Sequence, residues 1–89
     1  MSTKRLRCLI VDDEPPAIRL LENYISKVSF LEKVESTISA LKALQIIESQ
    51  TIDVVFLDIQ MPELSGIQLS KIIKAVSYTH LTLPTILLV

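Results

Sequence analysis

The sequence has very few of the residues that build disulfide frameworks, flexible loops or zinc sites. Its 89 residues include one cysteine, one glycine, one histidine and no tryptophan. The single cysteine, Cys8, cannot form an internal disulfide and lies within an apolar run, so we interpret it as a reduced core residue. The chain also lacks the set of histidines and cysteines that a zinc site requires.

Neither sign of charge is in excess. Nine basic and ten acidic residues give a formal net charge of -1, which is not the electrostatic signature of a protein that binds nucleic acid or a membrane surface. No segment is long and apolar enough to span a bilayer, and the N-terminus lacks the apolar region of a signal peptide. The length allows one small domain. These features predict a cytoplasmic protein of one domain, with no direct contact to nucleic acid or membrane.

Apolar segments of strand and helix character alternate along the chain. The predicted strands are residues 8–11, 30–37 and 54–57, and the predicted helices begin at Pro15, Ala40 and Ser65 or Gly66. This alternation predicts an α/β fold with right-handed crossovers and a parallel sheet. The third strand has no polar alternation, which is typical of a central strand buried on both faces. The mixed pattern of the second strand predicts an edge.

The first helix carries apolar residues at intervals of three and four, which predicts a stripe that faces the sheet. This stripe consists of Ala17, Ile18, Leu21, Tyr24, Ile25 and Val28. In the second helix Ala40, Ala43, Leu44 and Ile47 share a face, and in the third the apolar residues are Ile67, Leu69, Ile72 and Ile73.

Carboxylates follow two of the strands. Asp12, Asp13 and Glu14 come directly after the first strand, and Asp58 follows the third. In the flavodoxin-like strand order 2-1-3-4-5 these strands are neighbours, and ligands bind at their C-terminal ends. We therefore expect Asp12 and Asp13 to lie beside Asp58. Carboxylates so close repel one another unless a proton or a cation lies between them, and oxygen ligands alone favour Mg²⁺.

A carboxylate placed as Asp58 is can also act as a nucleophile. It can attack a phosphoryl group in line and form an aspartyl phosphate, while Mg²⁺ neutralises charge on the phosphoryl oxygens. The structural alternatives are a helix cap or a solvated loop carboxylate. A Met61–Pro62 pair and Gly66 follow, so we expect a sharp turn before the third helix.

Two segments of the chain resemble a known family. LIVDDEPPA and VVFLDIQMPELSG are similar to the receiver domain of two-component response regulators. The longer segments CLIVDDEPPAIRLLENYI and FLDIQMPELSGIQL are most similar to its LytTR (LytR/AlgR) branch. The resemblance covers residues 4 to about 75. It implies part of a flavodoxin-like (CheY-like) doubly wound parallel sheet, with three native strands and three helices.

The resemblance also implies a role for each acid. Asp58 would accept phosphate from a histidine kinase in a self-catalysed transfer, which makes the chain a signalling phosphoacceptor and not an enzyme. Asp13 would bind Mg²⁺ directly, Asp12 would hold it mainly through water, and the backbone carbonyl of Gln60 would complete the protein ligands. Glu14 would be a weaker participant. The parent protein would carry a DNA-binding output domain, whereas this segment would not bind DNA.

The chain departs from the family after its third helix. A full receiver continues with a fourth strand ending in Thr or Ser, a fifth strand followed by Lys-Pro, and two more helices. The segment VSYTHLTLPT, from Val76, is instead similar to one reading frame of a transposase-based sequencing adaptor. We therefore expect residues 1–75 to be the N-terminal part of a receiver domain, truncated there, and residues 76–89 to be a tail foreign to the family. Residues 84–89 are nevertheless apolar enough to occupy the place of a fourth strand.

Two other functions stay open on the sequence alone. An Mg²⁺-dependent phosphohydrolase with an aspartyl-phosphate intermediate would usually have a second acid two residues after the nucleophile, where this chain has Gln60. An interaction module that never takes phosphate is compatible with the missing Thr and Lys.

Overall fold

Strands and helices alternate from one end of the chain to the other. The computed structural model describes residues 5–62, 64–79 and 85–88, with side chains as far as Ala75. The elements are β1 (Leu6–Val11), α1 (Pro15–Ser26), β2 (Leu31–Thr37), α2 (Ala40–Ser49), β3 (Val54–Leu57), α3 (Gly66–Thr79) and β4 (Thr85–Leu88). The four strands form one parallel sheet in the order β2-β1-β3-β4. The predicted α/β class and flavodoxin-like order are confirmed.

The two central strands are buried on both faces because their apolar runs have no polar alternation. Side chains of β1 and β3 alternate between two separate clusters of core residues. One cluster, under α2 and α3, contains Leu9, Val11, Val55 and Leu57 together with Ala43, Ile47 and Ile72. The other, under α1, contains Cys8, Ile10, Val54 and Ile25. The sheet is therefore doubly wound, and the prediction that β3 lies inside the sheet is confirmed.

The strand β2 lies at the edge, as its mixed composition predicted. Its register with β1 shifts between Cys8 and Leu9, which pair with Lys33 and Glu35, so that Val34 is an extra residue. Such a bulge bends an edge strand and re-aims its side chains. Val34 packs against the core under α2 and α3.

Side chains and prolines define where the helices begin. Pro15 and Pro16 start α1, where a missing backbone N–H costs nothing because the first turn has no acceptor for it. Ser39 caps α2 by accepting a hydrogen bond of 3.2 Å from the backbone N–H of Lys42. Ser65 and Gln68 form a reciprocal capping box at α3, with hydrogen bonds of 3.1 and 3.2 Å.

One predicted core position of α1 and two apolar residues of α3 are exposed. Tyr24 is 56% exposed, Ile67 is 70% exposed and Ile73 is 42% exposed. The adjacent Ile25 and Ile72, which belong to the same apolar sets, are buried, because successive helical residues point about 100° apart. In α1 and α3 the buried stripe is therefore narrower than the set of apolar residues.

The backbone at the start of α3 does not require Gly66 to be a glycine. Among the described residues no φ is positive, and a Cβ added at Gly66 would meet nothing within 4 Å. The turn instead ends in the Ser65 capping box and in a hydrogen bond of 3.0 Å from the Leu64 N–H to the Met61 carbonyl. The expectation that Gly66 shapes this loop is not supported by its conformation.

The C-terminal segment adds a fourth strand to the sheet. Thr85–Leu88 pairs in parallel with β3, in a register that runs from Val54 with Thr85 to Leu57 with Leu88. The expectation that this apolar segment occupies the fourth position is confirmed for residues 85–88, while Pro84 and Val89 lie outside the described residues. The helix α3 runs on to Thr79, and the domain boundary after residue 75 stays a prediction. Among the described residues no helix combines the length and the apolar character needed to cross a bilayer.

Candidate functional site

The ends of β1 and β3 bring two aspartates side by side. Val11 and Leu57 are register partners, so the residues that follow them, Asp12 and Asp58, leave the sheet together. The backbone N–H of Asp58 donates to the Val11 carbonyl, and that of Asp12 donates to the Thr37 carbonyl on β2, both at 3.0 Å. The sheet therefore fixes both aspartates through their backbones before any side chain contributes.

Four carboxylates converge at this edge of the sheet. One oxygen from each of Asp12, Asp13, Glu14 and Asp58 can be chosen so that all lie within 4.8 Å of one another. Asp12 is buried, Asp58 is half-buried, and Asp13 and Glu14 are exposed. The cluster is thus open on the side of Asp13 and Glu14, where a ligand can approach. The expectation that Asp12 and Asp13 lie beside Asp58 is met by these coordinates.

Local hydrogen bonds orient the two aspartates that end the strands. Oδ1 of Asp12 accepts from the backbone N–H of Glu14 at 3.0 Å, and Oδ1 of Asp58 accepts from that of Gln60 at 2.9 Å. In both cases an aspartate accepts from the residue two positions ahead, which is the geometry of an Asx turn. The same turn therefore holds one oxygen of each carboxylate and leaves the other for the cluster.

Burial and like charge raise the pKa of Asp12 above its ordinary value. Desolvation is the largest cause, and the negative charges of Asp58 and Asp13 add to it, while the hydrogen bond from the Glu14 N–H opposes it. The contact with the Asp58 side chain also raises this pKa. Acids this close avoid full ionisation either by sharing a proton or by binding a cation.

The start of α1 explains why Glu14 joins the cluster. Glu14 is the N-cap residue, but its side chain makes no capping hydrogen bond, so its carboxylate is available to the acids beside it. The positive end of the α1 dipole lies at the same point and favours negative charge there. The resemblance implied only a weaker role for Glu14. The signal for a stronger role is the proline pair that follows it, because Pro16, at the second helical position, has no N–H that the Glu14 side chain could accept from.

The cluster fits a hard divalent cation. All its side-chain ligands are oxygens and two of the acids are exposed, which matches the preference of Mg²⁺ for a few carboxylates with water completing the coordination. The raised pKa of Asp12 is the kind of electrostatic penalty that a cation between the acids relieves. For Gln60 the geometry defines the backbone N–H that donates to Asp58, and its carbonyl as a ligand stays a prediction.

The single cysteine lies away from this site. Cys8 is fully buried on the α1 side of the sheet, and burial raises the pKa of its thiol. Both observations agree with the interpretation of Cys8 as an inert core residue, because reactive cysteines have a lowered pKa and some exposure.

Comparison with known proteins places the chain among signalling domains. The family model described as the response regulator receiver domain matches residues 8–89. An uncharacterized response regulatory protein of Yersinia pestis is 39% identical over 80 residues, which cover 90% of this chain and 34% of that protein. The sensory transduction protein LytR of Staphylococcus saprophyticus is 32% identical over 73 residues, covering 82% of this chain and 29% of that protein. The chain therefore spans about a third of the length of these curated relatives.

A solved structure supports the same fold. The signal receiver domain of the response regulator NarL from Mycobacterium tuberculosis superposes with a TM-score of 0.76 at 28% identity. The alignment covers 97% of this chain and 66% of that one.

Proposed function

Because the chain belongs to the response regulator receiver domain family, we propose that Asp58 is a phosphoacceptor that takes a phosphoryl group from a histidine kinase. The observation that carries this proposal is the convergence of Asp58 with Asp12, Asp13 and Glu14 within 4.8 Å. Asp58 is the half-buried acid of the strand-ending pair, so an incoming phosphoryl group can reach it more easily than Asp12.

The transfer makes and breaks one bond. An oxygen of the Asp58 carboxylate forms a P–O bond as the P–N bond to the donor imidazole breaks, and the imidazole nitrogen keeps the electron pair of that bond. The hydrogen bond from the Gln60 N–H fixes one oxygen of Asp58 at 2.9 Å, so the carboxylate is oriented before the donor arrives. We propose that the chain acts as a self-catalysed acceptor and not as an enzyme.

We propose that Asp12, Asp13 and Asp58, with the backbone carbonyl of Gln60, hold Mg²⁺ at this site. When bound, Mg²⁺ supplies positive charge that neutralises the phosphoryl oxygens. Asp13 is exposed, which suits a direct ligand, whereas the buried Asp12 keeps one oxygen on the Glu14 N–H. Glu14 contributes negative charge close enough to strengthen cation binding.

Intact-mass measurement tests the phosphoacceptor role. The chain is incubated with Mg²⁺ and either acetyl phosphate or phosphoramidate, whose P–N bond resembles that of phosphohistidine. We expect a mass increase of one phosphoryl group, which Asp58→Asn abolishes. Asp53→Asn makes the same change at the other end of β3 and should leave the modification intact.

Two other outcomes of this experiment contradict the proposal. Continuous release of inorganic phosphate with no stable adduct indicates a phosphohydrolase. A chain that stays folded and unmodified with both donors is an interaction module that takes no phosphate.

We further propose that the parent protein belongs to the LytTR branch and carries a DNA-binding output domain. The similarity to LytR supports this proposal. It goes together with the proposed boundary after residue 75, beyond which residues 76–89 are adaptor-derived. The nucleotide sequence tests both proposals. Codons from Val76 onward that match the adaptor support the boundary, and different codons refute it. A genomic continuation that encodes a LytTR domain supports the assignment of the parent protein.

A further inference from the structure

An open groove lies between α2 and α3, on the face of the sheet opposite α1. Its volume is about 550 Å³, and its apolar lining comes from Leu41 and Leu44 on α2 and from Ala75 on α3. Leu41 is 62% exposed, although leucine is a residue that proteins usually bury. The small side chain of Ala75 leaves space opposite these leucines. The groove follows two helices that pack side by side on one sheet face, so it is elongated and not a closed cavity.

Two lysines line one wall of this groove. Lys71 and Lys74 are one helical turn apart on α3, and both are exposed. Neither makes an ion pair with another residue in the described part of the chain. Among the described residues that line the groove, Glu48 on α2 is the only acid, so these residues carry a net positive charge. Its aliphatic lysine stems extend the apolar lining, and the ammonium groups lie above it.

We propose that this groove docks an amphipathic helix of a partner protein, with apolar side chains between α2 and α3 and acidic residues against Lys71 and Lys74. A helix that lies in a groove between two others presents apolar residues at i, i+3, i+4 and i+7. Acids one turn apart on its flank match the spacing of the two lysines. The surface is separate from the Asp58 cluster, so the proposal does not depend on phosphorylation.

A second copy of the chain is a poorer occupant than an acidic helix. A two-fold axis through the groove would bring the groove residues of both copies together, and each copy contributes Lys71 and Lys74 against the single acid Glu48. Such an interface would gather four lysines and two glutamates, and the excess like charge opposes association. An acidic helix instead neutralises the lysines.

A synthetic peptide tests the proposal on the full chain. The probe is an amidated, fluorescein-labelled helical peptide of about four turns, with leucines at i, i+3, i+4 and i+7 and glutamates along one flank. We expect amide chemical-shift changes centred on Leu41, Leu44 and Ala75 in NMR spectra. Fluorescence anisotropy should show that Lys71→Glu with Lys74→Glu weakens binding at least tenfold, because the charge pairs become repulsive. If that variant does not fold, Lys71→Gln with Lys74→Gln is used, and we expect a smaller loss of affinity for the peptide.

A matched variant and a matched peptide complete the design. Arg19→Glu on α1 with Lys27→Glu at its C-cap reverses the same number of charges near Leu20 and Tyr24, which are also exposed, and should leave the affinity unchanged within about twofold. A peptide with lysines in place of the glutamates should bind at least tenfold more weakly than the probe. Four outcomes would each overturn the proposal. They are chemical-shift changes centred on Leu20 and Tyr24, equal affinity for the two peptides, no binding of the probe peptide, and self-association of the chain that blocks the peptide.

Discussion

The two ends of the central strands differ in the partners of their charged side chains. At their C-terminal ends, the acidic rim of Asp12, Asp13, Glu14 and Asp58 gathers four carboxylates within 4.8 Å. At their N-terminal ends, the anchoring rim of Arg7, Gln50, Thr51 and Asp53 joins each charged side chain to neutral hydrogen-bonding partners. There the Asp53 carboxylate accepts from the Arg7 backbone N–H at 2.8 Å, and the guanidinium donates to the Thr51 carbonyl at 2.8 Å and to Gln50 at 3.2 Å.

The two rims therefore differ in their roles: the anchoring rim stabilises the fold, and the acidic rim forms the candidate functional site. The anchoring rim ties the start of β1 to the loop before β3, and the Asp53 N–H returns a hydrogen bond of 2.8 Å to the Arg7 carbonyl. The acidic rim is held by backbone hydrogen bonds to strands, while its carboxylates repel one another. The rest of the fold therefore offsets an unfavourable concentration of negative charge, which a bound cation would relieve.

Adding Mg²⁺ should produce the largest change in the free energy of unfolding, because the ion would bind between the repelling carboxylates of the acidic rim. At a concentration 100 times its Kd, a ligand that binds only the folded chain adds about 2.7 kcal/mol to the free energy of unfolding. Thermal melts with Mg²⁺ and with EDTA measure this difference. Asp13→Asn should remove most of the increase, whereas Asp53→Asn, the same charge change at the anchoring rim, should retain it. An equal increase in both variants would show that the ion binds elsewhere.

Removing Asp53 should destabilise the chain with or without Mg²⁺. Asp53→Ala leaves the part-buried Arg7 N–H without its acceptor, and such a loss costs roughly 1–3 kcal/mol. Urea denaturation in EDTA gives the change in free energy of unfolding. Glu48→Ala, an acid on the exposed side of α2, is the control and should stay within about 0.5 kcal/mol of wild type. A loss no larger than that of the control would mean that the anchoring rim does not stabilise the fold.

Neutralising Asp12 of the acidic rim should raise the free energy of unfolding, whereas Asp53→Ala should lower it. Asp12→Asn in EDTA should stabilise the chain by about 1 kcal/mol at neutral pH, because it removes a buried charge that faces Asp58 and Asp13. The folded-state pKa of Asp12 is raised, so its ionised form lowers stability above that pKa. The advantage of Asp12→Asn should therefore shrink as the pH falls through the raised pKa towards the ordinary value of 3.8. Denaturation from pH 7 to pH 4 measures this trend, and an advantage that grows on acidification contradicts it.

The ion pair between Lys33 and Glu22 should contribute least. It joins β2 to α1 at 2.7 Å, but its side chains are 39% and 32% exposed, and water and salt screen such pairs. We expect Lys33→Ala to change the free energy of unfolding by less than about 0.5 kcal/mol. A loss as large as that of Asp53→Ala would mean that exposed charges matter as much as the part-buried rim.

Local patterns were enough to predict the elements and the convergence of the acids. The unbroken apolar run Val54–Leu57 predicted an internal strand, Ser39 predicted the start of α2, and the position of the acids after two strands predicted that they meet. These features follow from spacing along the chain and from the order of strands in one known type of sheet. The apolar stripes were less informative, since the same periodicity included Tyr24 and Ile67, which are exposed.

What the amino-acid sequence determined by itself is therefore the alternation of elements, the parallel sheet and the delivery of Asp12, Asp13 and Asp58 to one end of it. These properties depend on periodicity and residue type, which act over a few neighbouring residues. Only the tertiary structure decided how far each helix rotates on the sheet, that Glu14 turns toward the other acids, and that Lys71 and Lys74 face Leu41 across a groove. Such relations depend on the packing of elements that are distant in the chain, and a helical repeat specifies a face only to within about one residue, or 100°.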